Sequence, residues 1–259
     1  MLRSALILTA AACSLLAQTP KKPVTDTYDK VKVTDDYRWL ENFDDPAVKQ
    51  WANAQNATAR SFLDALPDRD ALARELRQIF QPATARYFPI EQRGGKIFAL
   101  KSDQQHQHQI VVTLGSLDDL ASERTVLDPD AIDAQHLTEI DFAVPSLDGR
   151  YLAASLSTGG SESGDVHVYE TATGKPLPEV IARVNYATAG GGLVWNADNS
   201  GFYYTRYPRD GERAAADMHF YQQVYFHKLG DKPGNDTYEI GRDFPRIAEI
   251  AFAASSDGR

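Results

Sequence analysis

Asp148-Gly149-Arg150-Tyr151-Leu152 has the composition of a tight turn that runs directly into a β-strand. Similar turns occur at three other places, which are Gly94-Gly95-Lys96-Ile97-Phe98, Asn199-Ser200-Gly201-Phe202-Tyr203-Tyr204 and Asp257-Gly258-Arg259. The steps between the glycines at 95, 149, 201 and 258 are 54, 52 and 57 residues. This interval is typical of a four-stranded propeller blade rather than of a helical repeat. We therefore expect a β-propeller whose fourth copy of the unit is begun but not finished.

The segment from Phe88 onward has a hydrophobic period of two, which predicts β-strands. Its β-rich runs cover residues 96–100, 109–114, 151–156, 165–169, 202–207 and 224–229. No amphipathic run of helical length interrupts them, which favours antiparallel meanders over alternating strands and helices. The sequence therefore predicts a mainly β fold, with an incomplete β-propeller of about three blades over residues 87–259. A β-sandwich is the main alternative.

Residues 18–86 show a helical period instead. Asp45 can cap a helix that has Pro46 in its first turn and ends at Pro67, and a second helix can run from Asp70 to Pro82. Their apolar residues recur at intervals of three and four, as Val48, Trp51, Phe62, Leu63 and Leu66 in the first helix and Leu72, Leu76, Ile79 and Phe80 in the second. Two helices alone form a thin layer, so we expect them to pack on something else.

The first 17 residues have the pattern of a signal peptide. Arg3 supplies a positive charge, residues 5–12 are apolar, and Leu15-Leu16-Ala17 is a suitable cleavage site. The apolar run is much too short to cross a bilayer of about 30 Å, so no membrane span is expected. We predict a periplasmic or secreted protein. Lipid anchoring through Cys13 and a cytoplasmic location are the alternatives.

Charge and cysteine content exclude several functions. The formal net charge is -9, and it becomes -10 if the leader is removed, because Arg3 is the leader's one charged residue. An acidic chain without clustered Lys and Arg is unsuited to nucleic acid, so no nucleic-acid partner is expected. The single cysteine lies in the leader, which leaves the mature chain without disulfides or thiol chemistry. With 42% hydrophobic residues, the chain has material for a core of its own.

Catalytic motifs are nearly absent. Gly160-Ser161-Glu162-Ser163-Gly164 has glutamate where a Gly-x-Ser-x-Gly nucleophile elbow needs serine, and we interpret it as a hairpin loop. His106 and His108 would share one strand face, but without a third ligand nearby they favour a solvated edge over a metal pair. The other histidines stand alone in the sequence and are assigned no role. We therefore predict no catalytic residue, metal site or cofactor within these 259 residues.

A family resemblance begins at Tyr37-Arg38-Trp39-Leu40-Glu41-Asn42. With Asp45-Pro46 and Trp51-Ala52-Asn53-Ala54-Gln55-Asn56, this segment closely resembles the start of the prolyl oligopeptidase family of serine peptidases. The likeness continues through later strands and turns, namely Ser146 to Tyr151, Leu193-Val194-Trp195, Phe202 to Pro208 and Tyr225 to Gly230. The resemblance covers about residue 21 to the last residue, and the combination of segments is specific although each is weak alone.

The resemblance implies an N-terminal helical segment that belongs to an α/β-hydrolase domain, followed by an inserted seven-bladed propeller. In that family the Ser, Asp and His of the triad lie after the propeller, in a segment that this sequence does not contain. The resemblance therefore implies that these residues cannot hydrolyse peptides alone, and that the hydrolase segment is their partner. A propeller over the catalytic cavity would admit short peptides and exclude folded proteins. Size selection is the task expected of these residues.

One residue is a candidate for substrate contact. Arg183-Val184-Asn185-Tyr186 resembles a family segment whose last aromatic residue projects into the peptide-binding cavity, which makes Tyr186 the candidate. An ordinary aromatic residue at a blade edge is the alternative. At the level of the whole protein, cleavage of short peptides after proline competes with a non-catalytic scaffold or a decayed gene. Cleavage after basic residues also stays open, because relatives with that preference share the architecture.

Overall fold

The computed structural model describes residues 19–80 and 84–255. The predicted signal peptide, Cys13 and the last repeat turn at 257–259 lie outside the described residues. The chain divides into two compact units, residues 1–81 and residues 82–259. No helix among the described residues is long and apolar enough to span a bilayer.

The first unit contains a hairpin, a short 3-10 turn and two helices. Strands β1 (Val24–Tyr28) and β2 (Val31–Asp35) pair antiparallel, the 3-10 turn covers Arg38–Glu41, and helices α1 (Pro46–Leu63) and α2 (Arg69–Phe80) follow. Trp39 donates from Nε1 to the carbonyl of Pro20 at 2.9 Å and packs edge to face on Trp51, with ring centroids 6.2 Å apart. The aromatic residues of the resembling segment therefore join the 3-10 turn to α1.

The helices form where predicted, but the environment of their apolar residues differs from a buried face. The Asp45 carboxylate accepts from the Ala47 amide at 2.8 Å, which confirms the predicted cap. Helix α1 ends at Leu63, short of Leu66. The large apolar residues of α2 are exposed, with Leu72 at 56%, Leu76 at 42%, Ile79 at 65% and Phe80 at 75%. The apolar period correctly located the helix, but nothing among the described residues covers that face.

The second unit contains three four-stranded antiparallel sheets, each a meander in chain order. Blade 1 holds β3 (Arg86–Arg93), β4 (Lys96–Ser102), β5 (Ile110–Leu114) and β6 (Arg124–Leu127), and the short helix α3 (Pro129–Ile132) follows it. Blade 2 holds β7 (Thr138–Pro145), β8 (Tyr151–Thr158), β9 (Gly164–Glu170) and β10 (Pro176–Asn185). Blade 3 holds β11 (Leu193–Trp195), β12 (Gly201–Arg206), β13 (Gln223–Lys228) and β14 (Thr237–Ile240). The partial propeller predicted from the repeat is confirmed, and residues 84–255 contain three blades and no closed barrel.

Side-chain alternation along blade 2 builds the two core layers between blades. Ala153 packs with residues of blade 3, including Trp195 and Phe202. Its neighbours Leu152 and Ala154 face the other way and pack with residues of blade 1. Successive side chains of a strand point to opposite faces of its sheet, so one strand supplies both layers. Blade 2 is therefore the central element of the second unit.

The repeat turns touch one another, which explains two of their glycines. A Cβ at Gly94 would lie 1.9 Å from the Asp148 carbonyl oxygen, and one at Gly149 would lie 2.7 Å from the Arg93 carbonyl oxygen. Both glycines also have positive φ, at 54° and 67°. The side chain of Asn199 in the third turn accepts from the Leu147 amide at 2.7 Å. The turns of the three blades thus form a continuous row.

Candidate functional site

Tyr186 lies directly after β10, where the chain crosses from blade 2 to blade 3. The crossing is a closed turn, because the Gly190 amide donates to the Tyr186 carbonyl at 2.8 Å. Tyr207, at the end of β12, is only 1% exposed, and its hydroxyl donates to the Gly190 carbonyl at 2.9 Å while accepting from the Ala189 amide at 3.1 Å. Burial raises the pKa of Tyr207 to about 12, so the hydroxyl keeps the proton that it donates. Tyr207 therefore fixes the turn that carries Tyr186.

The ring of Tyr186 is held by two neighbouring rings. It stacks on His219, with centroids 4.0 Å apart and planes 10° apart, and meets Tyr207 edge to face at 5.9 Å. The ring is half-buried, so part of its surface remains open to solvent. A fixed aromatic surface of this kind is suited to an apolar contact with a ligand.

His219 was assigned no role from the sequence, and the structure places it behind Tyr186. Burial, and secondarily the nearby Arg183 guanidinium, lower its pKa. Its Nδ1 is buried and has no hydrogen-bond partner among the described residues. Burial and the charge of Arg183 both favour the neutral imidazole. No sequence pattern could have found this pair, because the two rings are 33 positions apart and belong to different connections.

The His106 and His108 pair differs from the solvated edge that the sequence favoured. Both rings are largely buried, and each donates from Nδ1 to an aspartate, His106 to Asp103 at 2.8 Å and His108 to Asp130 at 2.7 Å. Asp103 lies in the loop after β4, three residues before His106, whereas Asp130 comes from α3, 22 residues beyond His108. Across residues 19–80 and 84–255, no group of three His, Cys, Asp or Glu side chains is arranged to hold a metal ion.

A second buried histidine has a comparable arrangement in blade 3. His227 on β13 is fully buried, and its Nδ1 lies 2.7 Å from the carboxylate of Asp236. The other oxygen of Asp236 accepts from the Tyr204 hydroxyl at 2.5 Å. This Tyr-Asp-His group lies inside the blade and holds the turn before β14 against β12 and β13. Its geometry suits a structural role.

Residues 159–163 form the connection between β8 and β9, and Gly164 begins β9, as the hairpin-loop interpretation predicted. Ser161 and Ser163 hydrogen-bond within that loop, with the Ser161 hydroxyl accepting from the Ser163 amide at 3.3 Å. The segment therefore has the local bonding of a turn and not that of a nucleophile elbow.

Comparisons with known proteins agree with this architecture. The family model described as "Prolyl oligopeptidase, N-terminal beta-propeller domain" matches residues 17–259. The prolyl endopeptidase of Elizabethkingia meningoseptica is 30% identical over 236 residues, which are 88% of this chain and 31% of that protein. The prolyl endopeptidase of Elizabethkingia miricola is 29% identical over the same shares of each chain. The chain therefore spans about a third of the length of these relatives.

Solved structures of a prolyl endopeptidase and a prolyl oligopeptidase also superimpose on this chain. One from a mechanistic study of two prolyl endopeptidases superimposes with a TM-score of 0.78 at 26% identity, over 93% of this chain and 35% of that chain. Prolyl oligopeptidase B from Galerina marginata, bound to a 35mer hydrolysis and macrocyclization substrate, gives a TM-score of 0.68 at 20% identity, over 88% and 34%. The second likeness concerns the fold alone.

Proposed function

The chain belongs to the prolyl oligopeptidase family, as its N-terminal β-propeller part, and on this basis we propose that it gates substrate access in a serine peptidase that cleaves short peptides after proline. The single observation that carries the proposal is the family match over residues 17–259, which spans both the helical segment and the three blades. The match to the relatives covers about 31% of their length. The triad would come from the part of such a protein that these residues do not include.

The gating role follows from the kind of surface that the blades provide. Two core layers pack the three blades against one another. Buried side chains such as Val166 and Ile181 have no exposed fraction, so the packed blades form a rigid wall. A rigid wall around a catalytic cavity admits chains that are narrow enough to pass and excludes folded domains. The half-buried ring of Tyr186 would supply an apolar contact for a peptide inside that wall.

The experiment for Tyr186 uses the protein purified as its gene encodes it, with a chromogenic Gly-Pro peptide. Tyr186→Ala is expected to raise KM about tenfold, the equivalent of ~1.4 kcal/mol, because an apolar contact is removed. Tyr186→Phe keeps the ring and should retain the parent KM. Tyr203→Ala, which removes a partly exposed ring on β12 of blade 3, is the matched control. An unchanged KM in Tyr186→Ala, or an equal rise in the control, would contradict the substrate contact.

A separate test concerns the peptidase assignment itself. We expect the gene to encode, in frame, a hydrolase segment with a Gly-x-Ser-x-Gly serine, and residues 1–259 produced alone to show no hydrolysis of the same Gly-Pro peptide. Hydrolysis by these residues alone at a rate comparable to that of a complete relative would overturn the proposal. A coding region that lacks any hydrolase segment would favour the non-catalytic scaffold instead.

We also propose that the protein is exported. The support for this proposal is the sequence pattern alone, with Arg3, the apolar residues 5–12 and the cleavage site at Leu15-Leu16-Ala17. Expression in a bacterial host followed by N-terminal sequencing of the periplasmic fraction should give Gln18 as the first residue. A membrane-bound form that incorporates radiolabelled palmitate would support lipid anchoring through Cys13. A cytoplasmic form that begins at Met1 would refute export.

A further inference from the structure

A pocket of about 280 Å³ in blade 3 brings together three arginines. Arg206, Arg213 and Arg242 line it, and Glu212 is the acidic residue among the lining side chains. Three positive charges and one negative charge give a formal local charge of +2 in a chain whose net charge is -9. Tyr207 also lines this pocket, and its buried ring meets the ring of Tyr186 at 5.9 Å.

Arg206 forms the base of the pocket. It is 5% exposed, pairs with Glu212 at 2.7 Å and lies over the Tyr225 ring at 4.2 Å. Its Nε is buried and has no hydrogen-bond partner among the described residues. A buried donor without a partner is costly in free energy, and a bound acceptor would remove that cost. The terminal nitrogens of Arg206 bind both oxygens of Glu212, at 2.7 and 3.2 Å, so the arginines left open to a ligand are the two at the rim.

Arg213 and Arg242 stand at the rim and are exposed. The Arg213 guanidinium lies 3.8 Å from the centre of the Tyr221 ring, and that of Arg242 lies 4.5 Å from the centre of the Tyr238 ring. Stacking on aromatic rings orients a guanidinium without using its N–H donors. Neither forms an ion pair with a carboxylate in the described part of the chain. Two oriented cations are thus available to a ligand.

We propose that this pocket binds an oxyanion, namely the carboxylate of a peptide whose neighbouring apolar residue lies against Tyr186. A guanidinium offers a planar fork of donors that matches a carboxylate in two parallel hydrogen bonds. The volume is at the lower end for ligand pockets, which suits an acidic side chain better than a nucleotide. The peptide part of this assignment rests on the proposed function, whereas the oxyanion part rests on the arginines alone.

The test is a fluorescence anisotropy titration of the full chain with two labelled peptides that differ in one residue. The probes are Phe-Gly-Gly-Glu and Phe-Gly-Gly-Gln, both with an amidated C-terminus, so that the side-chain carboxylate is the difference. We expect the acidic peptide to bind at least about tenfold more tightly at 50 mM salt. Raising the salt to 500 mM should reduce this ratio, because exposed charges are screened. Inorganic phosphate serves as the competitor that represents a free anion.

The variants use the rim arginines, because Arg206 is buried and its loss would disturb folding. The double variant Arg213→Gln and Arg242→Gln should bring the ratio between the two peptides close to one. Arg124→Gln combined with Arg86→Gln, on exposed positions of blade 1, is the control with the same change of charge and should retain the ratio. Equal binding of both peptides by the parent chain, or an equal loss in the control, would overturn the proposal. Binding of phosphate without discrimination between the peptides would also overturn it, in favour of a free-anion site.

These outcomes are separate from those of the peptidase test. Binding is measured without turnover, so an acid preference would be seen even if the protein cleaved nothing. Conversely, peptidase activity on neutral peptides would persist if the pocket bound no carboxylate.

Discussion

Asp236 illustrates how one buried carboxylate can hold a blade together. It accepts from both the Tyr204 hydroxyl and the His227 ring, and the His227 side chain has no exposed fraction. Burial, and then the hydrogen bond to Asp236, raise the pKa of Tyr204, so its hydroxyl stays protonated and donates. One carboxylate thus satisfies two buried donors from adjacent strands.

We predict that Asp236→Ala lowers the free energy of unfolding by about 2–6 kcal/mol, because it leaves the Tyr204 and His227 donors buried without partners. Urea denaturation followed by tryptophan fluorescence would measure the change. Glu239→Gln removes the same charge from an exposed position on β14 and should change stability by less than about 0.5 kcal/mol. A loss below about 1 kcal/mol in Asp236→Ala would show that the carboxylate is not structural.

The repeat turns show what a sequence can reveal at the level of single residues. The sequence correctly located the turns before β4, β8 and β12 from their Gly, Asp and Asn content. It could not show whether a glycine is needed for its positive φ or for a close approach of another strand. Gly149 has positive φ, whereas a Cβ at Gly201 would lie 2.2 Å from the His227 carbonyl oxygen on the neighbouring strand. Close approach between strands depends on pairing, which a local pattern does not contain.

At the scale of elements, carboxylates that bind histidine side chains stabilise the edge of blade 1. Asp130 lies on α3 and accepts from His108 at 2.7 Å and His136 at 3.0 Å, while Asp103 accepts from His106 at 2.8 Å. Burial alone would raise the pKa of each carboxyl group, but the hydrogen bonds from these imidazoles and from backbone amides outweigh it and hold both pKa values well below 3.8. Lys101 is a further cation beside Asp103, and Asp128 is a second acid near His106.

This edge should be sensitive to acid. A carboxyl group whose pKa is lower in the folded state stabilises the fold above its unfolded pKa near 3.8 and loses that contribution as the pH falls toward the folded value. Between pH 4 and pH 2, each of the two groups should therefore lower the unfolding free energy by up to ~1.4 kcal/mol per pH unit. Asp130→Asn should make this slope shallower, as measured by urea denaturation at a series of pH values.

The control for the acid prediction is Asp118→Asn, which changes an exposed aspartate in a turn of the same blade. Its slope between pH 4 and pH 2 should equal that of the parent chain. A parent slope equal to that of Asp130→Asn would contradict the role of the histidine-bound carboxylate.

The hairpin of β1 and β2 is the element that sequence analysis missed, since residues 18–86 were predicted to be helical. Val31 and Val33 alternate with polar residues, but they are 63% and 47% exposed, so the strands lack a strong apolar face. The turn uses Asp29 and Lys30 at φ values of 46° and 72°, where glycine or asparagine is the usual signal. An exposed hairpin without glycine leaves little trace in composition. The paired Tyr186 and His219 rings were missed for a related reason, since folding alone brings them together.

At the scale of the whole molecule, exposed apolar area is concentrated on particular elements. Leu72 and Ile79 on α2 are 56% and 65% exposed, and Phe62 on α1 is 68% exposed. Leu72 and Ile79 are seven positions apart and therefore share one face of α2, and exposed apolar faces are common at docking sites. The resemblance predicted that these helices pack on a hydrolase domain, and this stays a prediction. Sequence periodicity located the apolar face of α2, but a periodic pattern does not contain the identity of the surface that packs on it.

The last prediction therefore concerns α2 in the chain of 259 residues. Leu72→Gln combined with Ile79→Gln should reduce the fluorescence of a bound hydrophobic dye about twofold or more, because dye binding scales with contiguous apolar surface. The control is Leu117→Gln combined with Leu120→Gln, which replaces two leucines of blade 1 that are 55% and 57% exposed but lie in the short loop before β6. That control should change the signal little, since small isolated apolar spots are normal on protein surfaces. Equal losses of dye signal in both double variants would mean that α2 is not a distinct docking face, and they would remove the structural argument for a hydrolase partner at these helices.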